Sequence, residues 1–579
     1  MKVYARPVSV ALVCLLAVGP VSVRSARAAQ YVVAQQDPAA SDGNPGTPEA
    51  PWKTLSRAVR AVGPGDVVTI RAGLYRDALG LHVSGTLDAP ITFRAARGQD
   101  GGYEPVTVSG ADLFTQWEKD GDAWRYTGGA YGLNAQTYAD DFTFRREQAM
   151  CDGEQLRHVP ERKDMTPGTF WIDDAAQALY VRLPGDAAPA EHAVEASTRY
   201  PLVGVHGEPL PTDIRLFGLV FRYSCNRAQW GAVLVGTRWV VEDCDIGWTV
   251  GCGLGVWGDN YVLRRVKSHH HAQLGMGGNG ANGLIEECEF SDNNWKGFSA
   301  DWECGGFKLC GTRGVKLLRC TASRNAGDGM WFDIDNFAGE VRQCRLQDNA
   351  RYGLFIEISG DFVVADNLCT GNKSAGVCVG ESRDCYVAFN TCVGNGDGVT
   401  LRGHRVPRGY GGTRHVFWDA NVTVRNNLFA FNTEAGFSLT WAEAEAGDER
   451  PGRMDLGPGG IGLLLDHNYY VCPQAHLARF DLPARRNQSR VFDDLAALRE
   501  AHGFEKEGRA GTVQFVDRGA GDYRLAPASA AIATEVYIME GDTPDGKVSE
   551  FQPGPDQHRA RPAGMRYPAV GMASVIQTP

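Results

Sequence analysis

The sequence predicts an all-β fold, a parallel β-helix, from three columns of residues that share one period. The first column consists of apolar anchors, in the order Val241, Leu263, Ile285, Leu317, Val341, Val364, Val387 and Val424. Their spacings are 22, 22, 32, 24, 23, 23 and 37 residues, so five of the seven steps fit one repeat and two carry insertions. A repeat of this length, with short strands and no helical period, is typical of stacked β-coils.

The other two columns are asparagine and glycine. Eight residues after the anchor, six coils carry asparagine: Asn293, Asn325, Asn349, Asn372, Asn395 and Asn432. A glycine then opens the next strand of each coil: Gly253, Gly275, Gly297, Gly329, Gly353, Gly376, Gly398 and Gly436. Asparagine tolerates a left-handed corner, and its amide can bond to the asparagine of the next coil. We therefore expect a buried asparagine ladder at one corner of the coil.

The same alignment explains two motifs that otherwise suggest disulfides or a metal. Four cysteines share the position three residues after the anchor: Cys244, Cys288, Cys320 and Cys344. Stacked side chains run parallel, which suits a disulfide poorly, so these cysteines are interpreted as small apolar core residues. His271, the last of three consecutive histidines, falls in the asparagine column. A structural corner is therefore favoured over a metal site there.

The two ends of the chain show different features. Residues 1–29 are expected to be an export signal, because Lys2 and Arg6 precede an apolar run and Ala26-Arg27-Ala28 is a small-x-small cleavage site. This predicts a secreted or periplasmic protein. No later stretch is long enough to span a membrane. The net charge of −11 argues against a nucleic-acid partner, and we expect a monomer.

The remaining chain divides into four expected parts. Residues 30–115 form an N-terminal cap and the first coils, with Thr54 capping a short helix that closes the end of the solenoid. Residues 116–195 break the period and contain paired aromatic runs, which indicates an inserted small β-subdomain. Residues 196–475 form the β-helix core with the active cleft, and residues 476–579 form a C-terminal cap and tail.

Strand alternation places a group of carboxylates on one outer face. Counting from Gly329, we expect Met330 and Phe332 to point inward while Trp331, Asp333 and Asp335 point outward. The same count from Gly353 places Phe355 and Glu357 outward, and the count from Gly297 places Asp301 and Glu303 outward. Like charges gathered on one face repel each other, so the sequence predicts protonated or cation-bound carboxyls here, as acid–base sites use.

The spacing of these carboxylates bears on the chemistry. Neighbouring strands lie about 4.7–4.9 Å apart. Retaining glycosidases hold their two carboxyls about 5–5.5 Å apart, whereas inverting ones need about 6.5–9.5 Å. Asp333 and Glu357 on adjacent coils therefore suit a retaining reaction. Asp301 and Glu357, two coils apart, would suit inversion only at the upper limit of that range.

The repeat over roughly residues 200–475 resembles the right-handed parallel β-helices of carbohydrate-active enzymes, and this resemblance implies the right hand. Gly329-Met330-Trp331-Phe332-Asp333 followed by Gly353-Leu354-Phe355-Ile356-Glu357 resembles the β-helix family of retaining β-xylosidases, which includes fucosidase-like members. In that family an Asp is the nucleophile and a Glu one coil later is the acid/base. The resemblance implies Asp333 as nucleophile and Glu357 as acid/base.

Other residues are expected to bind substrate. They are Asp301, Glu303, Lys308, Trp331, Asp335, Phe355 and Arg402. Lys308 is placed in a loop of about ten extra residues around Glu303 to Thr312, and Arg402 in the outward column of Glu357 two coils later. Long loops on a rigid scaffold are where binding groups usually lie. Another insertion, between Leu401 and Asn421, carries His404, Arg405, Arg408, Tyr410, His415 and Trp418.

Three functions remain open from the residues alone. The leading hypothesis is a secreted glycoside hydrolase that needs no cofactor and cleaves a plant- or algal-type polysaccharide or oligosaccharide. A polysaccharide lyase would use Lys308 or Arg402 as base, with Ca²⁺ held by Asp301, Asp333 and Asp335. A non-catalytic carbohydrate-binding protein would use the same carboxylates as a structural cation site.

Overall fold

The fold was analysed in a computed structural model. It describes residues 28–133, 142–404, 408–409, 416–417, 419–442, 462–481 and 490–531. Nearly all of the predicted export signal, at residues 1–27, lies outside the described residues, as do most of the insertion between Leu401 and Asn421 and the tail beyond residue 531. Among the described helices, none has the length and apolar character needed to cross a membrane.

The described chain winds into coils whose strands form three long parallel sheets. The first sheet contains Gln30–Val33, Val67–Ile70, Ile91–Ala95, Ile214–Phe217, Val240–Glu242, Val262–Arg264, Leu284–Glu286, Lys316–Leu318, Glu340–Arg342, Val363–Ala365, Tyr386–Ala388, Thr423–Arg425 and Leu464–Asp466. The second sheet contains Gly73–Tyr75, Val106–Ser109, Val220–Arg222, Asp245–Gly247, Lys267–His269, Glu289–Ser291, Thr321–Ser323, Arg345–Gln347, Leu368–Thr370, Thr391–Val393, Leu428–Ala430, Tyr469–Val471 and Arg509–Ala510. In both sheets each strand pairs with the equivalent strand of the next coil, which is the topology of a parallel β-helix.

The third sheet carries the predicted carboxylates. Its strands are Gly231–Val235, Cys252–Trp257, Leu274–Asn279, Gly305–Leu309, Asp328–Asp333, Tyr352–Glu357, Ala375–Gly380, Asp397–His404, Ala435–Ala442, His476–Asp481 and Arg490–Phe492. All of its pairings are parallel except the last, between His476–Asp481 and Arg490–Phe492. The prediction of an all-β parallel β-helix is confirmed.

The predicted anchor column is a row of register partners in the first sheet. Val241 pairs with Leu263, and the row continues without a break through Ile285 and Leu317 to Val424. These side chains are buried in the core between the three sheets. The two long steps of the repeat are therefore insertions outside this sheet, and they leave its register intact.

The asparagine ladder forms as predicted. The Nδ2 of Asn325 donates to the Oδ1 of Asn349 at 2.9 Å, and Asn349 donates in the same way to Asn372 at 2.9 Å. The left-handed backbone falls on the residue before each asparagine, for example Arg324 (φ 54°) and Asp348 (φ 55°), and not on the asparagine itself as the sequence suggested. The preceding residue makes the turn, which leaves the asparagine side chain directed into the stack.

A second ladder and a histidine complete the corners. Asn367, Asn390, Asn427 and Asn468 form an equivalent ladder at the corner between the first and second sheets, with Nδ2–Oδ1 distances of 2.9, 3.0 and 3.0 Å. His271 is fully buried in the first ladder, between the Thr249 hydroxyl at 2.8 Å and the Ser268 hydroxyl at 3.0 Å. Its pKa lies well below the usual range because burial disfavours the charged ring. The structural interpretation of His271 is confirmed.

The cysteines of the repeat are core residues. Cys244, Cys288, Cys320 and Cys344 are buried and carry free thiols, as do the other cysteines of the described chain. Burial raises the pKa of the Cys244 thiol to about 12. These thiols therefore act as small apolar side chains, as the sequence predicted.

Both ends of the solenoid are covered by short helices. The helix Leu55–Val59 starts at Thr54, whose hydroxyl accepts the Arg57 amide at 3.1 Å. The helix Leu495–His502 starts at Asp494, whose carboxylate accepts the Ala497 amide at 2.8 Å. Short 3₁₀ turns lie at Phe142–Phe144, Arg162–Asp164, Pro184–Asp186, Pro189–Glu191 and Arg518–Ala520.

Two small sheets interrupt the solenoid where the sequence breaks its period. One contains Arg157–His158, Thr169–Asp173, Ala178–Arg182, Ala123–Tyr126 and Trp117–Asp120. The other contains Glu154–Gln155, Ala149–Cys151, Val194–Ser197 and Ala111–Leu113. Two further strand pairs are Arg408–Gly409 with Val416–Phe417, and Phe515–Asp517 with Asp522–Leu525. The inserted sheets have their own apolar cluster, and Phe144 packs edge-on against Phe298 of the β-helix at 5.1 Å.

Removal of one ladder side chain should destabilise the β-helix. Asn349 is fully buried, donates to Asn372 and to the Ala322 carbonyl, and accepts from Asn325. We expect Asn349→Ala to lower the free energy of unfolding by about 2–3 kcal/mol, because buried partners lose their hydrogen bonds. Denaturant unfolding measures this change, with the exposed Gln116→Ala as matched control. Equal stability of the two variants would contradict the role given to the ladder.

Candidate active site

Asp333 and Glu357 lie side by side at the ends of adjacent strands of the third sheet. They are register partners in the parallel pair formed by Asp328–Asp333 and Tyr352–Glu357. Neighbouring strands lie about 4.7–4.9 Å apart, so the two carboxyl groups start from backbones at that spacing. Both residues are only 6% exposed. The sequence prediction that these two carboxylates meet on adjacent coils is confirmed.

Two aromatic rings lie under the carboxylates on the same outer face. Trp331 and Phe355 are register partners, and their rings stack at 5.5 Å with an interplanar angle of 20°. They form a cluster with Cys378 that is separate from the main core, whereas Met330 and Phe332 belong to the core. The predicted alternation is therefore correct through Asp333. The two rings are 3% and 1% exposed, so they form the floor of the site, and direct contact with substrate stays a prediction for them.

Lys308 binds Asp333 from the preceding coil. Its Nζ lies 2.8 Å from the Asp333 Oδ2, 3.5 Å from the Glu303 Oε1 and 3.8 Å from the centre of the Trp331 ring. It also donates to the Trp302 carbonyl at 2.7 Å. The side chain is 7% exposed, so these contacts are made largely out of water, where charge interactions are stronger.

These contacts set the protonation of Lys308. Burial lowers the pKa of its ammonium group, but the Glu303 and Asp333 carboxylates outweigh burial, and the pKa lies above its usual value. Lys308 is therefore a fixed cation beside Asp333. The other Asp333 oxygen, Oδ1, is buried and has no hydrogen-bond partner among the described residues. One oxygen of Asp333 is thus held by Lys308, and the other makes no hydrogen bond to the described residues.

Glu303 is a third carboxyl near this pair. Burial raises the pKa of its carboxyl group, and the opposing effect of Lys308 does not cancel that increase. Its side chain is 16% exposed. The structure therefore brings Glu303, Lys308 and Asp333 together, although Glu303 lies on the segment before the strand and not on the strand as predicted.

The predicted register of this coil is wrong. The strand begins at Gly305, which pairs with Leu274 and Asp328, and not at Gly297. Asp301 therefore lies outside the sheet, with a side chain that is 92% exposed and paired with Arg351 at 3.1 Å. The ten extra residues precede the strand, which places Lys308 within the strand opposite Trp331 and not in a loop. The sequence period is the same whether the ten extra residues follow the first glycine of the strand or precede it. The repeat therefore could not locate the insertion relative to the strand.

Asp335 also lies away from the expected column. The strand ends at Asp333, and Ile334 and Asp335 both take left-handed backbone, with φ of 58° and 62°. The Asp335 carboxylate bonds to Arg313 at 2.9 Å. The chain therefore turns a corner after Asp333, and strict alternation no longer applies there.

Arg402 occupies the position predicted for it. Gly380 pairs with Glu357, and Arg402 pairs with Gly380, so Arg402 lies two coils after Glu357 in one column. Its guanidinium Nη2 lies 3.5 Å from the Glu357 Oε1 and its Cζ lies 5.4 Å from the Phe355 ring. Arg402 is one-third exposed and is available to a bound molecule.

The three aspartates of the alternative calcium site are not brought together. Asp301 pairs with Arg351, Asp333 with Lys308 and Asp335 with Arg313. Among the described residues, the group of three side chains spaced for a metal ion is Cys151, Asp152 and His192, in the inserted sheets. The set of ligands that the sequence suggested for calcium does not fit the ion at this place.

Asp328 is a buried carboxyl that the sequence did not single out. It is fully buried, accepts the Tyr352 amide at 3.1 Å and lies 3.6 Å from the Arg351 guanidinium. Burial raises its pKa to about 6. Asp328 immediately precedes Gly329, the column glycine of its coil. The sequence prediction counted outward positions only after that glycine, so it did not consider Asp328.

The raised pKa of Asp328 predicts a pH dependence of stability. A carboxyl that ionises near pH 4 when unfolded and near pH 6 when folded binds more protons in the folded state between these values. The ionisation of Asp328 therefore lowers stability by roughly 2–3 kcal/mol as pH rises from about 4 to about 6. Asp328→Asn should remove this contribution, so that its stability, measured by urea unfolding, falls less than that of wild type across this range. The exposed Asp348→Asn should fall as wild type does, and an equal fall in Asp328→Asn and wild type would contradict the assignment.

The fold and the face just described define a right-handed parallel β-helix protein. The family model described as the right handed beta helix region matches residues 230–392. The uncharacterized protein YwoF of Bacillus subtilis (strain 168) is 37% identical over 78 residues. That match spans 14% of this chain and 17% of the length of YwoF.

Comparison with solved structures finds matches of low sequence identity. The complex of XylC with xylose is 14% identical with a TM-score of 0.59, over 85% of this chain and 88% of that chain. A structure named glycoside hydrolase is 13% identical with a TM-score of 0.46, over 83% and 99% of the two chains. Pectate lyase Pel9A is 14% identical with a TM-score of 0.34, over 87% and 90%. At these identities, the similarity to XylC establishes a shared fold.

Proposed function

We propose that this protein is an exported glycoside hydrolase that retains anomeric configuration, with Asp333 as nucleophile and Glu357 as acid/base. The observation that carries this proposal is the adjacent pair of nearly buried carboxylates, one of them held by Lys308. The spacing of neighbouring strands suits the carboxyl separation of a retaining enzyme better than that of an inverting one. The substrate would be a polysaccharide or oligosaccharide.

The two carboxyl groups divide the reaction into two steps. In the first, a carboxylate oxygen of Asp333 attacks the anomeric carbon while Glu357 gives its proton to the leaving oxygen, which forms a glycosyl ester on Asp333. In the second, Glu357 takes a proton from water, the water oxygen attacks the anomeric carbon and the ester bond breaks. Asp333 returns as a carboxylate and Glu357 as an acid.

The neighbouring cations support these roles. Lys308 places a positive charge 2.8 Å from Asp333, which complements the carboxylate that a nucleophile requires. Arg402 at 3.5 Å from Glu357 is one-third exposed, and we assign it to hydroxyl groups of the sugar. Glu303, whose pKa is raised by burial, is assigned to substrate binding and is the competitor of Glu357 for the role of proton donor that the experiments below test.

The same charges disfavour a lyase. A lyase base must be neutral to abstract a proton, but the carboxylates around Lys308 hold its pKa above the usual value. The three aspartates proposed to bind calcium each pair with a different basic residue. The site therefore favours hydrolysis over elimination.

A glycan panel tests the proposed function. The mature protein is incubated with polysaccharides and oligosaccharides, with and without Ca²⁺, while reducing ends and ultraviolet absorbance of unsaturated sugar are followed together. We expect new reducing ends without absorbance. A rise of both signals would identify a lyase, and binding without either signal would identify a non-catalytic carbohydrate-binding protein; each of these outcomes overturns the proposal.

Export is part of the proposal and has its own test. Residues 1–29 would direct the chain out of the cytoplasm and would be removed after Ala28 or Ala29. Expression with these residues in a bacterial host, followed by N-terminal sequencing of the periplasmic and medium fractions, measures this. An uncleaved protein found only in the cytoplasm would contradict export.

A further inference from the structure

Trp257 is an exposed aromatic side chain in the same column as the carboxylates. It pairs in register with Asn279 on the next coil of the third sheet. Gly278 pairs with Leu309 and Leu309 with Phe332, so the column continues from Asn279 through Cys310 to Asp333. Three strand spacings separate Trp257 from Asp333, which is roughly 14–15 Å along the sheet.

Trp257 is half-exposed, with 49% of the residue in contact with solvent. Among the described residues, no hydrogen bond, cation or other aromatic ring is found against its indole. Trp295, another exposed tryptophan, differs because its Nε1 donates to the His270 carbonyl at 3.0 Å. A single exposed apolar side chain is common on protein surfaces, so the position of Trp257 in the column of the carboxylates is what points to a ligand.

The sheet is shaped to present this ring. The neighbouring outward column, which holds Trp331 and Phe355 beneath the carboxylates, is glycine in the two coils of Trp257 and Asn279. A Cβ on the first of these glycines, Gly255, would come 3.1 Å from the Trp257 Nε1. The missing side chain lets the indole lean over its own strand.

The positions between the ring and the carboxylates are suited to a sugar chain. Asn279 is exposed, and its amide both donates and accepts hydrogen bonds, as sugar hydroxyls do. Cys310 is partly exposed and lies within the electrostatic influence of Asp333, Lys308 and Glu303. An exposed aromatic ring, an amide and a carboxylate pair thus follow one another along a straight rigid column.

We propose that Trp257 is a distal sugar-stacking subsite, so that the substrate is a carbohydrate chain several rings long that runs along this column to Asp333 and Glu357. The apolar face of a pyranose ring would cover the indole, and Asn279 would bond to hydroxyls of the next rings. This inference rests on the proposed function and adds to it a binding subsite three strand spacings from the reacting carboxylates. A site for single sugars would not need a ring that far from the reacting atoms.

Chain-length dependence tests the subsite. The probes are xylohexaose, chosen because the XylC structure was solved with xylose, and a nitrophenyl xyloside, which is too short to reach Trp257. We expect Trp257→Ala to raise KM for the hexaose roughly tenfold, as expected for one lost aromatic contact, with kcat and xyloside kinetics unchanged. Trp257→Tyr should restore most of the affinity, and Trp295→Ala, which removes the other exposed indole, should behave as wild type.

Binding to a glycan array separates failure of the subsite from failure of the function. Hexamers of xylan, mannan, cellulose, polygalacturonate and alginate are immobilised, and wild type, Asp333→Asn, Trp257→Ala and Trp295→Ala are compared. Binding by Asp333→Asn that is lost in Trp257→Ala supports the subsite even if no hydrolysis is found. Equal binding by wild type and Trp257→Ala, or no binding by wild type to any of the glycans, overturns it.

Discussion

Asp333→Asn should reduce glycoside hydrolysis by at least about 10³-fold while leaving the fold intact. The amide keeps the shape of the carboxylate but lacks the negative charge needed to attack the anomeric carbon. Its surroundings can accept the change, because Lys308 retains bonds to Glu303 and to the Trp302 carbonyl. The loss should be the same for good and poor leaving groups, since the nucleophile is needed for both.

Glu357→Gln should separate the two carboxyl roles. An acid/base contributes about 10²–10⁴-fold, and a dinitrophenyl leaving group departs without a proton. In Glu357→Gln the rate of the first step should therefore be close to wild type with a dinitrophenyl glycoside, and dinitrophenol should be released in a burst because the second step still needs the base. Natural glycosides should stay slow. Glu303→Gln should not show this dependence on the leaving group.

Circular dichroism, thermal unfolding and stopped-flow kinetics make these comparisons. The variant Asp292→Asn, which removes a carboxylate bonded to Arg324 at 2.7 Å at the corner after the second sheet, serves as control for loss of one negative charge. Full activity in either Asp333→Asn or Glu357→Gln would show that the pair is not the catalytic centre. A leaving-group dependence found in Glu303→Gln instead would move the acid/base role to Glu303.

Lys308→Met should lower both stability and activity. Lys308 is held between Glu303 and Asp333 with its side chain 7% exposed. Loss of one partner of a buried ion pair typically costs about 3–5 kcal/mol, because the remaining charge is left without compensation. Without the ammonium group, Asp333 loses the positive charge at 2.8 Å that holds its carboxylate in place, so kcat/KM for glycosides should fall as well.

A lysine on the protein surface supplies the matched control for this prediction. Lys316 lies 3.5 Å from Glu340 and is 58% exposed, so Lys316→Met should change stability by less than about 1 kcal/mol and leave kcat/KM unchanged. Steady-state kinetics and denaturant unfolding measure both variants. If Lys308→Met lowers stability but keeps the wild-type kcat/KM, Lys308 supports the fold alone and does not assist the nucleophile.

Much of the architecture could be predicted from the sequence, because in a solenoid the residues that are one repeat apart contact each other. In a parallel β-helix, residues one repeat apart are strand neighbours, so aligning Val241 with Leu263 and Ile285 already names register partners. The same alignment stacked Asn325 on Asn349 and placed Asp333 beside Glu357. These predictions depended on counting within intact repeats, where nothing intervenes between strand and corner.

The prediction failed where the repeat is interrupted. Ten extra residues separate the second sheet from the strand that carries Lys308, and both Gly297 and Gly305 could have opened that strand. Only pairing of Gly305 with Leu274 and Asp328 decides between them. Because the strand begins at Gly305, Asp301 lies in solvent and Lys308 lies opposite Trp331.

The sequence by itself determined the coil, its ladders and the adjacency of Asp333 and Glu357, because each of these follows from the period of the chain. The period also placed Arg402 in the column of Glu357, whereas the tertiary structure decided how Lys308 and Glu303 reach the pair. Lys308 reaches Asp333 because its strand is in register with Trp331, and Glu303 joins them because Phe144 of the inserted segment packs against the loop at Phe298 and Trp302. Such contacts join segments that are distant in sequence and have no common period, so only three-dimensional packing defines them.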